Sequence, residues 1–191
     1  MRNLFAKLLV VIALAATSFL AQAQALSASQ LTALRAAVFL DPAANALLVV
    51  GNSSGLRTYL NTPTNPAWIA WRTDVPVDSI MSNGMDWTRV DNLSVGKSRI
   101  WDWMGRLGTL NCAKANIRAG IDATWVGTAA DLAVRATVYT HCKRAATNAE
   151  KMLATGTGTD AAPGLTTFQG DVIERDSTML VFRDDGTIWT P

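Results

Sequence analysis

Helix start and stop signals recur at short intervals from residue 27 to about residue 155. Ser27-Ala-Ser-Gln30 has the spacing of a capping box, in which each side chain bonds the backbone amide of the other residue. Asp41-Pro42 is typical of an N-cap followed by proline at the first helical position, and Thr147-x-x-Glu150 is a second capping box. Signals this close together leave room only for short helices. We therefore predict a mainly α fold, a compact bundle of short helices.

The apolar spacing within these helices predicts which side faces the core. Leu31, Leu34 and Val38 fall on one face of the first helix. A later helix runs from Ser94 to about Leu107, and its predicted core face is Ile100, Trp103, Met104 and Leu107. Trp68-Ile-Ala-Trp71, between prolines, is expected to form a short extended segment.

The C-terminal part has a different character. Residues 155–163 have the composition of a linker, and the segments Thr166 to Ile173 and Met179 to Phe182 favour strand. Asp185-Gly186 between apolar runs is a hairpin signal. We thus predict a leader over 1–25, a helical domain over 26–155, and a linker with a small β-hairpin or meander over 156–191.

The leader has the three parts of a secretory signal peptide. Arg2 and Lys7 form the positive region, residues 8–20 the apolar region, and two overlapping Ala-x-Ala sites end at Ala23 and Ala25. The apolar region is shorter than the roughly 20 residues of a spanning helix. The alternative is an uncleaved apolar helix used within an assembly, where residues 8–20 lie between subunits or meet a host membrane.

Composition excludes several classes of protein. The 191 residues are 49% apolar and 17% charged, which fits one globular domain and excludes a wholly disordered chain. Removing Arg2 and Lys7 from the 17 basic residues leaves 15, equal to the 15 acidic ones. A neutral body has no basic footprint, so we expect no nucleic-acid partner.

The sequence contains no complete phosphate-binding or catalytic motif. Ser94-Val-Gly96-Lys97-Ser98 ends like a phosphate-binding loop, but Asp91 stands where that loop needs its first glycine, so Ser94 is better read as a helix cap. Paired carboxylates are scarce, and Asp184-Asp185 falls in a predicted turn. We expect no catalytic residue, no cofactor and no metal site, and therefore no enzyme.

The two cysteines leave two readings open. His141 is beside Cys142, with Cys112 thirty positions earlier, but the spacing suits neither a metal site nor a nucleophile and base. Cys112 and Cys142 are either free thiols in helices or, if the chain is exported, a disulfide.

Seven tryptophans are many for this length. Trp103 is most simply a core residue, whereas Trp101 lies a quarter of a turn from the predicted core face and is a candidate partner contact. Trp68 and Trp71 are read either as core or as the lining of a sugar or peptide groove. The full set of candidate partner contacts is Trp68, Trp71, Trp101, Phe168, Phe182 and Trp189.

Several strings occur in an order that is distinctive as a set. They are Ser27-x-x-Gln-Leu-x-x-Leu-Arg35, Trp71-Arg-Thr-Asp-Val-Pro-Val-Asp78, Lys97-x-Arg99 with Ile100-Trp-Asp-Trp103, Cys142-Lys-Arg-Ala-Ala-Thr-Asn-Ala-Glu150-Lys, and Ala154-Thr-Gly-Thr-Gly-Thr-Asp-Ala-Ala-Pro163. Over about residues 27–170 the chain resembles a family of small, largely uncharacterised proteins encoded among the structural genes of tailed bacteriophages and prophages. The leader and the residues from Glu174 onward depart from that pattern.

The resemblance implies a non-enzymatic structural subunit of the virion, at the tail or the head–tail junction. Its partners would be other virion subunits, and we expect a homo-oligomer within the assembly. The alternative is a prophage-encoded exported periplasmic protein, cleaved near Ala23 or Ala25, that binds a ligand or an envelope component. An envelope-degrading enzyme is a third reading, which no catalytic triad or carboxylate pair supports.

Overall fold

A computed structural model describes residues 25–190, so the predicted leader lies outside the described residues. The described chain contains ten α-helices: α1 Ala28–Leu40, α2 Pro42–Val49, α3 Ser53–Asn61, α4 Val77–Ser82, α5 Trp87–Asp91, α6 Val95–Gly105, α7 Ala115–Thr124, α8 Ala129–Cys142, α9 Asn148–Met152 and α10 Glu174–Val181. The predicted mainly α fold of short helices is confirmed.

Three short antiparallel strand pairs join the helices. The strands are β1 Ile69–Trp71, β2 Val75–Pro76, β3 Thr109–Leu110, β4 Lys143–Ala145, β5 Ala154–Thr155 and β6 Leu165–Thr166, and they pair as β1–β4, β2–β3 and β5–β6. In the first pair Ala70 faces Arg144, and Ala70 also bridges Gly164 on its other side. The predicted extended segment at Trp68–Trp71 is confirmed by β1.

Local signals set the helix boundaries as predicted. The Ser27 and Thr147 capping boxes are both formed, and the Asp41 side chain accepts from the Ala44 amide at the start of α2. Gly51, at φ 71°, follows the end of α2, where only glycine takes this backbone conformation without strain. Ser94 is at the N-cap of α6 but makes no side-chain capping bond.

The buried side chains form two separate cores. The terminal core joins both ends of the described chain, with α1, α2, α3, α9 and α10 around Leu34, Leu48, Leu56, Leu60, Phe168 and Leu180. The middle core is built from β2, α4, α6, α7 and α8 around Val75, Ile80, Trp101, Ile121, Trp125 and Val138. We call the two regions the terminal lobe and the middle lobe.

The C-terminal segment differs from its prediction in two respects. Met179 to Val181 is the end of α10, not a strand, because the helix buries Leu180 and Val181 in the terminal core. The predicted strand over Met179 to Phe182 is therefore wrong for residues 179–181, and of the predicted strand over Thr166 to Ile173 only Thr166 lies in a strand, β6. A bridge between Phe182 and Ile188 does enclose the predicted turn at Asp185-Gly186.

Candidate interaction surface

The predicted core face of α6 is correct for Met104 and for Ile100, which packs against the middle core, and wrong for Trp103 and Leu107, which are exposed. Trp101 and Met104 point into the middle core, whereas Trp103 is 62% exposed, so the prediction of Trp103 as core is wrong. The helix packs on α7, where Gly120 lies against Met104 and a Cβ would come within 3.1 Å of its sulfur. This close packing fixes the rotation of α6. It also explains why Trp101, predicted to contact a partner, is buried at 5% exposure.

An apolar stripe runs along the solvent side of α6. Val95, Trp103 and Leu107 are 74%, 62% and 57% exposed, and the exposed Arg99 lies between the first two. Val95, Arg99 and Trp103 are four apart in the helix and so lie on one face, and Leu107 follows two residues after the end of α6. We call Val95, Arg99, Trp103 and Leu107 the α6 stripe. A row of large exposed apolar side chains is uncommon on a surface that faces only water.

A groove opens on another side of the same helix. Its volume is about 370 Å³, and its apolar lining is Met81, Val90, Leu93 and Trp101. Its polar rim includes Ser98, Asp102 and Arg106, and the last two form an ion pair of 2.8 Å. We call this cavity the α6 groove. At 100° per residue, it lies roughly a third of a turn from the α6 stripe.

The charges beside the groove are mixed. Asp102 at the rim is paired with Arg106, so these two charges offset each other, and Asp91, exposed in the sequence between the groove residues Val90 and Leu93, adds one negative charge. The stripe carries the basic Arg99 at its centre. The two surfaces share their apolar character, and Asp91 gives the groove margin a charge opposite to that of Arg99.

The remaining predicted contact residues are packed within the chain. Phe168 is buried in the terminal core, and Phe182 packs against it. The Trp189 indole donates to the Phe182 carbonyl, and the Arg35 guanidinium lies 3.9 Å from its ring centre. Trp189 thus lies against α1 through Arg35, and Phe168 and Phe182 pack in the terminal core, so the contacts of these three rings in the structure are with their own chain.

Trp68 and Trp71 lie near the junction of the two lobes. A Cβ on Gly158 or Gly164 would overlap the Trp68 indole, so the Gly-rich 155–164 segment wraps this ring. Trp71 packs on Tyr139 with ring centres 5.5 Å apart, and the Arg118 guanidinium lies over the Trp71 ring, 5.0 Å from its centre. Burial, followed by the hydrogen bond to Asp122, raises the pKa of Tyr139 to about 12. Both tryptophans are half-buried and have packing roles.

The cysteine–histidine pair does not form a catalytic or metal site. A disulfide joins Cys112 to Cys142, which removes the thiol that a nucleophile would need. His141 Nε2 lies 3.3 Å from the Asn83 carbonyl oxygen. Within residues 25–190, no cluster of three or more His, Cys, Asp or Glu side chains could hold a metal ion.

Sequence reasoning did not identify a buried ion pair at the lobe junction. Arg144 on β4 forms a two-pronged contact with Glu150 on α9, whose side chain is 1% exposed. The same carboxylate accepts from the backbone amides of Thr147 and Gly170. The Glu150 hydrogen bond raises the pKa of the Arg144 guanidinium. The capping-box pattern revealed Glu150, but only the fold brings Arg144 and Gly170 to it.

A polar cavity of about 450 Å³ borders this ion pair. Thr73, Gln169 and the exposed Asp74 and Asp171 line it. Gln169 crosses the cavity wall, donating to the Trp71 carbonyl and accepting from the Thr73 hydroxyl. Gln169 thus links Trp71 and Thr73 through both ends of its amide group. The cavity lies at the junction between the lobes.

Lys97 belongs to the string Ser94-Val-Gly96-Lys97-Ser98, which ends like a phosphate-binding loop. It donates to the Val126 carbonyl at 2.7 Å and so connects α6 to the loop after α7.

Among the described helices none alone has the length and hydropathy of a bilayer span. Helices α1 and α2 meet that criterion only as a pair, which is bent by 102°.

Comparison of the chain with protein-family models, with curated proteins and with solved structures returns no match.

Proposed function

We propose that this chain is a non-enzymatic structural subunit of a tailed-phage virion, at the tail or the head–tail junction, acting through contacts between copies. The ordered strings of the sequence support the virion setting. The observation that carries the proposal is the α6 stripe, since Trp103 and Leu107 expose apolar surface that a second subunit would cover.

The arrangement on α6 favours a head-to-tail contact. A two-fold contact joins the same patch on both subunits, whereas a contact between two different patches generates rings or filaments. The stripe and the groove are different apolar patches on separate sides of one helix. Trp103 of one copy would enter the groove of the next, with Arg99 facing Asp91. A closed ring of this kind suits a tail or a head–tail connector.

The contact can be tested in solution with the full chain. We expect wild-type protein to form concentration-dependent oligomers in sedimentation velocity, and Trp103→Ser to be shifted towards monomer. Arg99→Glu should weaken association through charge, with a steeper loss at low salt. Leu132→Ser is the matched control, because Leu132 is exposed on α8 outside the stripe. A wild-type chain that stays monomeric at all concentrations would contradict the head-to-tail contact.

The virion setting needs a separate measurement. Mass spectrometry of purified particles should find this chain at a copy number comparable with other structural proteins. Its absence from the particle would contradict the virion proposal, whatever the oligomeric state in solution.

A second candidate is an exported periplasmic protein that binds a ligand or an envelope component. The Cys112–Cys142 disulfide favours it, because such bonds persist mainly in oxidising compartments. This candidate predicts a periplasmic fraction with both thiols blocked to alkylation before reduction. Free thiols in the producing cell would favour the assembly route through the cytoplasm.

A further inference from the structure

The backbone amide of Leu26 is held by a buried carboxylate from the far end of the chain. It donates to Asp176 Oδ2 at 2.7 Å, across 150 residues of sequence. Leu26 is 4% exposed, and Asp176, in the first turn of α10, is fully buried. The first residue of the terminal core is thus fastened through its nitrogen atom.

The other oxygen of Asp176 has a single charged partner. Arg175 Nε and a terminal nitrogen lie 3.2 and 3.0 Å from Oδ1, and the Arg175 side chain is 63% exposed. A buried carboxylate is costly unless hydrogen bonds and opposite charges surround it. Among residues 25–190, only the neutral Leu26 amide fills this role on the Oδ2 side. A cation at that nitrogen would complete the site.

The chain turns outward on both sides of this nitrogen. Ala25 is exposed, and the next amide, that of Ser27, is used by the Gln30 side chain at 2.8 Å in the capping box. Leu26 is therefore the one position where a new N-terminus would meet Asp176. It directly follows Ala25, the end of the second Ala-x-Ala site.

Starting from the second candidate function, in which the chain is exported, we propose that Asp176 is a receptor for the α-ammonium group produced by cleavage between Ala25 and Leu26. A leader peptidase of the export route, which selects small residues at the two Ala positions, hydrolyses this bond with one water molecule. Ala25 leaves as a carboxylate, and Leu26 keeps an amine that takes up a proton at neutral pH. The nitrogen then forms an ion pair with Asp176 from the position it already occupies.

Burial sets the order of events. In the folded protein Leu26 and its amide are inside the terminal lobe, where a protease has no access to the bond. Cleavage must therefore precede closure of the lobe, as it does for a chain that is processed during export. A cut after Ala23 would leave Leu26 nitrogen as a neutral amide, with the charge two residues away. The capture site thus selects one of the two predicted cuts.

The stability test compares chains that begin at Leu26 and at Gln24, each released from a cleavable fusion and each with and without Asp176→Asn. Because a charge-assisted bond replaces a neutral one, we expect the Leu26 chain to have an equilibrium constant for folding about tenfold larger. That advantage should vanish in the Asp176→Asn pair and persist with Glu174→Gln, an exposed acid on the same helix. Equal stability of the two starts, or an advantage that survives Asp176→Asn, would overturn the proposal.

A second measurement does not depend on whether Asp176→Asn folds. In the otherwise wild-type chains, the α-amine of Leu26 should be acylated far more slowly than that of Gln24, because it is buried and paired. Equal acylation rates of the two folded chains would refute the capture site.

The cut itself is tested with the full 191-residue chain produced in a bacterium. Sequencing of the exported product should give Leu26 as its first residue. A product that begins at Gln24, or one that retains Met1, would contradict the proposal. These outcomes are independent of whether the α6 stripe joins subunits.

Discussion

The two lobes are held together by different means. The middle lobe is one continuous stretch of chain, closed by the Cys112–Cys142 disulfide, with Trp101 and Trp125 packed edge to face at 5.2 Å. The terminal lobe joins both ends of the described chain and has no covalent link across its core. It relies on apolar packing and on long-range hydrogen bonds, such as the mutual pair between the Asn61 side chain and the Val172 backbone. The exposed stripe lies on the covalently closed lobe, and the buried N-terminal site on the other.

Removal of the disulfide gives the largest expected difference between the lobes. Closing a loop of about 30 residues restricts the unfolded chain by roughly 3–4 kcal/mol in the chain-entropy model. We expect a variant with Cys112→Ala and Cys142→Ala to lose about that much stability. Hydrogen exchange should show that α7 and α8 lose more protection than α1 and α3. An equal loss in both lobes would mean that they open as one unit.

The next largest effect concerns the junction between the lobes. Glu150→Ala removes the acceptor of the Arg144 guanidinium and of two backbone amides. Since breaking a buried ion pair costs about 3–5 kcal/mol, and Arg144 retains some access to water, we expect about 3 kcal/mol. Urea unfolding should show the loss, together with looser coupling between the lobes. Glu174→Gln, which removes only the exposed ion pair with Arg57, should cost less than about 1 kcal/mol.

Equivalent caps in the two lobes provide a smaller and matched comparison. Ser27 caps α1 in the terminal lobe and Thr128 caps α8 in the middle lobe, each in a complete capping box. Ser27→Ala and Thr128→Ala should each cost about 1 kcal/mol in thermal or urea unfolding. If local capping alone matters, the two losses will be equal. Thr32→Ala, inside α1, should be neutral or slightly stabilising, because alanine favours helix.

The smallest effect is a pH dependence of the middle lobe. The hydrogen bond from Arg89 is the main reason that the pKa of Asp131 is lowered to about 2. A carboxylate with a lowered folded-state pKa adds stability above its unfolded value, near 4, and that stability is lost as the pH falls towards 2. Urea midpoints measured between pH 5 and pH 2 should therefore converge for wild type and Asp131→Asn. If the two plots of urea midpoint against pH stay parallel, ionisation of Asp131 adds nothing to stability.

Much of the local structure was predictable from the sequence. Ser27, Asp41 and Thr147 act through residues three positions away, so their caps can be read without knowledge of the fold. The buried face of α1, with Leu31, Leu34 and Val38, was also predicted correctly. The residues at 28–37 that lie outside this face are polar or small, so the apolar spacing has one interpretation.

The rotation of α6 and the C-terminal helix were not predictable in the same way. Apolar residues lie on several sides of α6, so periodicity alone does not distinguish Trp101 from Trp103. Gly120 of α7 settles the question by letting Met104 approach. Met179 to Val181 have strand propensity, but burial of Leu180 in the terminal core outweighs it. Both outcomes depend on contacts between distant parts of the sequence.

The contact between Leu26 and Asp176 has a consequence for synthesis. Because one partner is among the first described residues and the other is near the end, the terminal lobe cannot close until almost the entire chain has emerged. The middle lobe is complete about thirty residues earlier, when Cys142 is available. In a chain stalled before α10, the middle lobe would be complete, but the helices of the terminal lobe would still expose their apolar core side chains. Such exposed apolar surface is what a holdase chaperone binds.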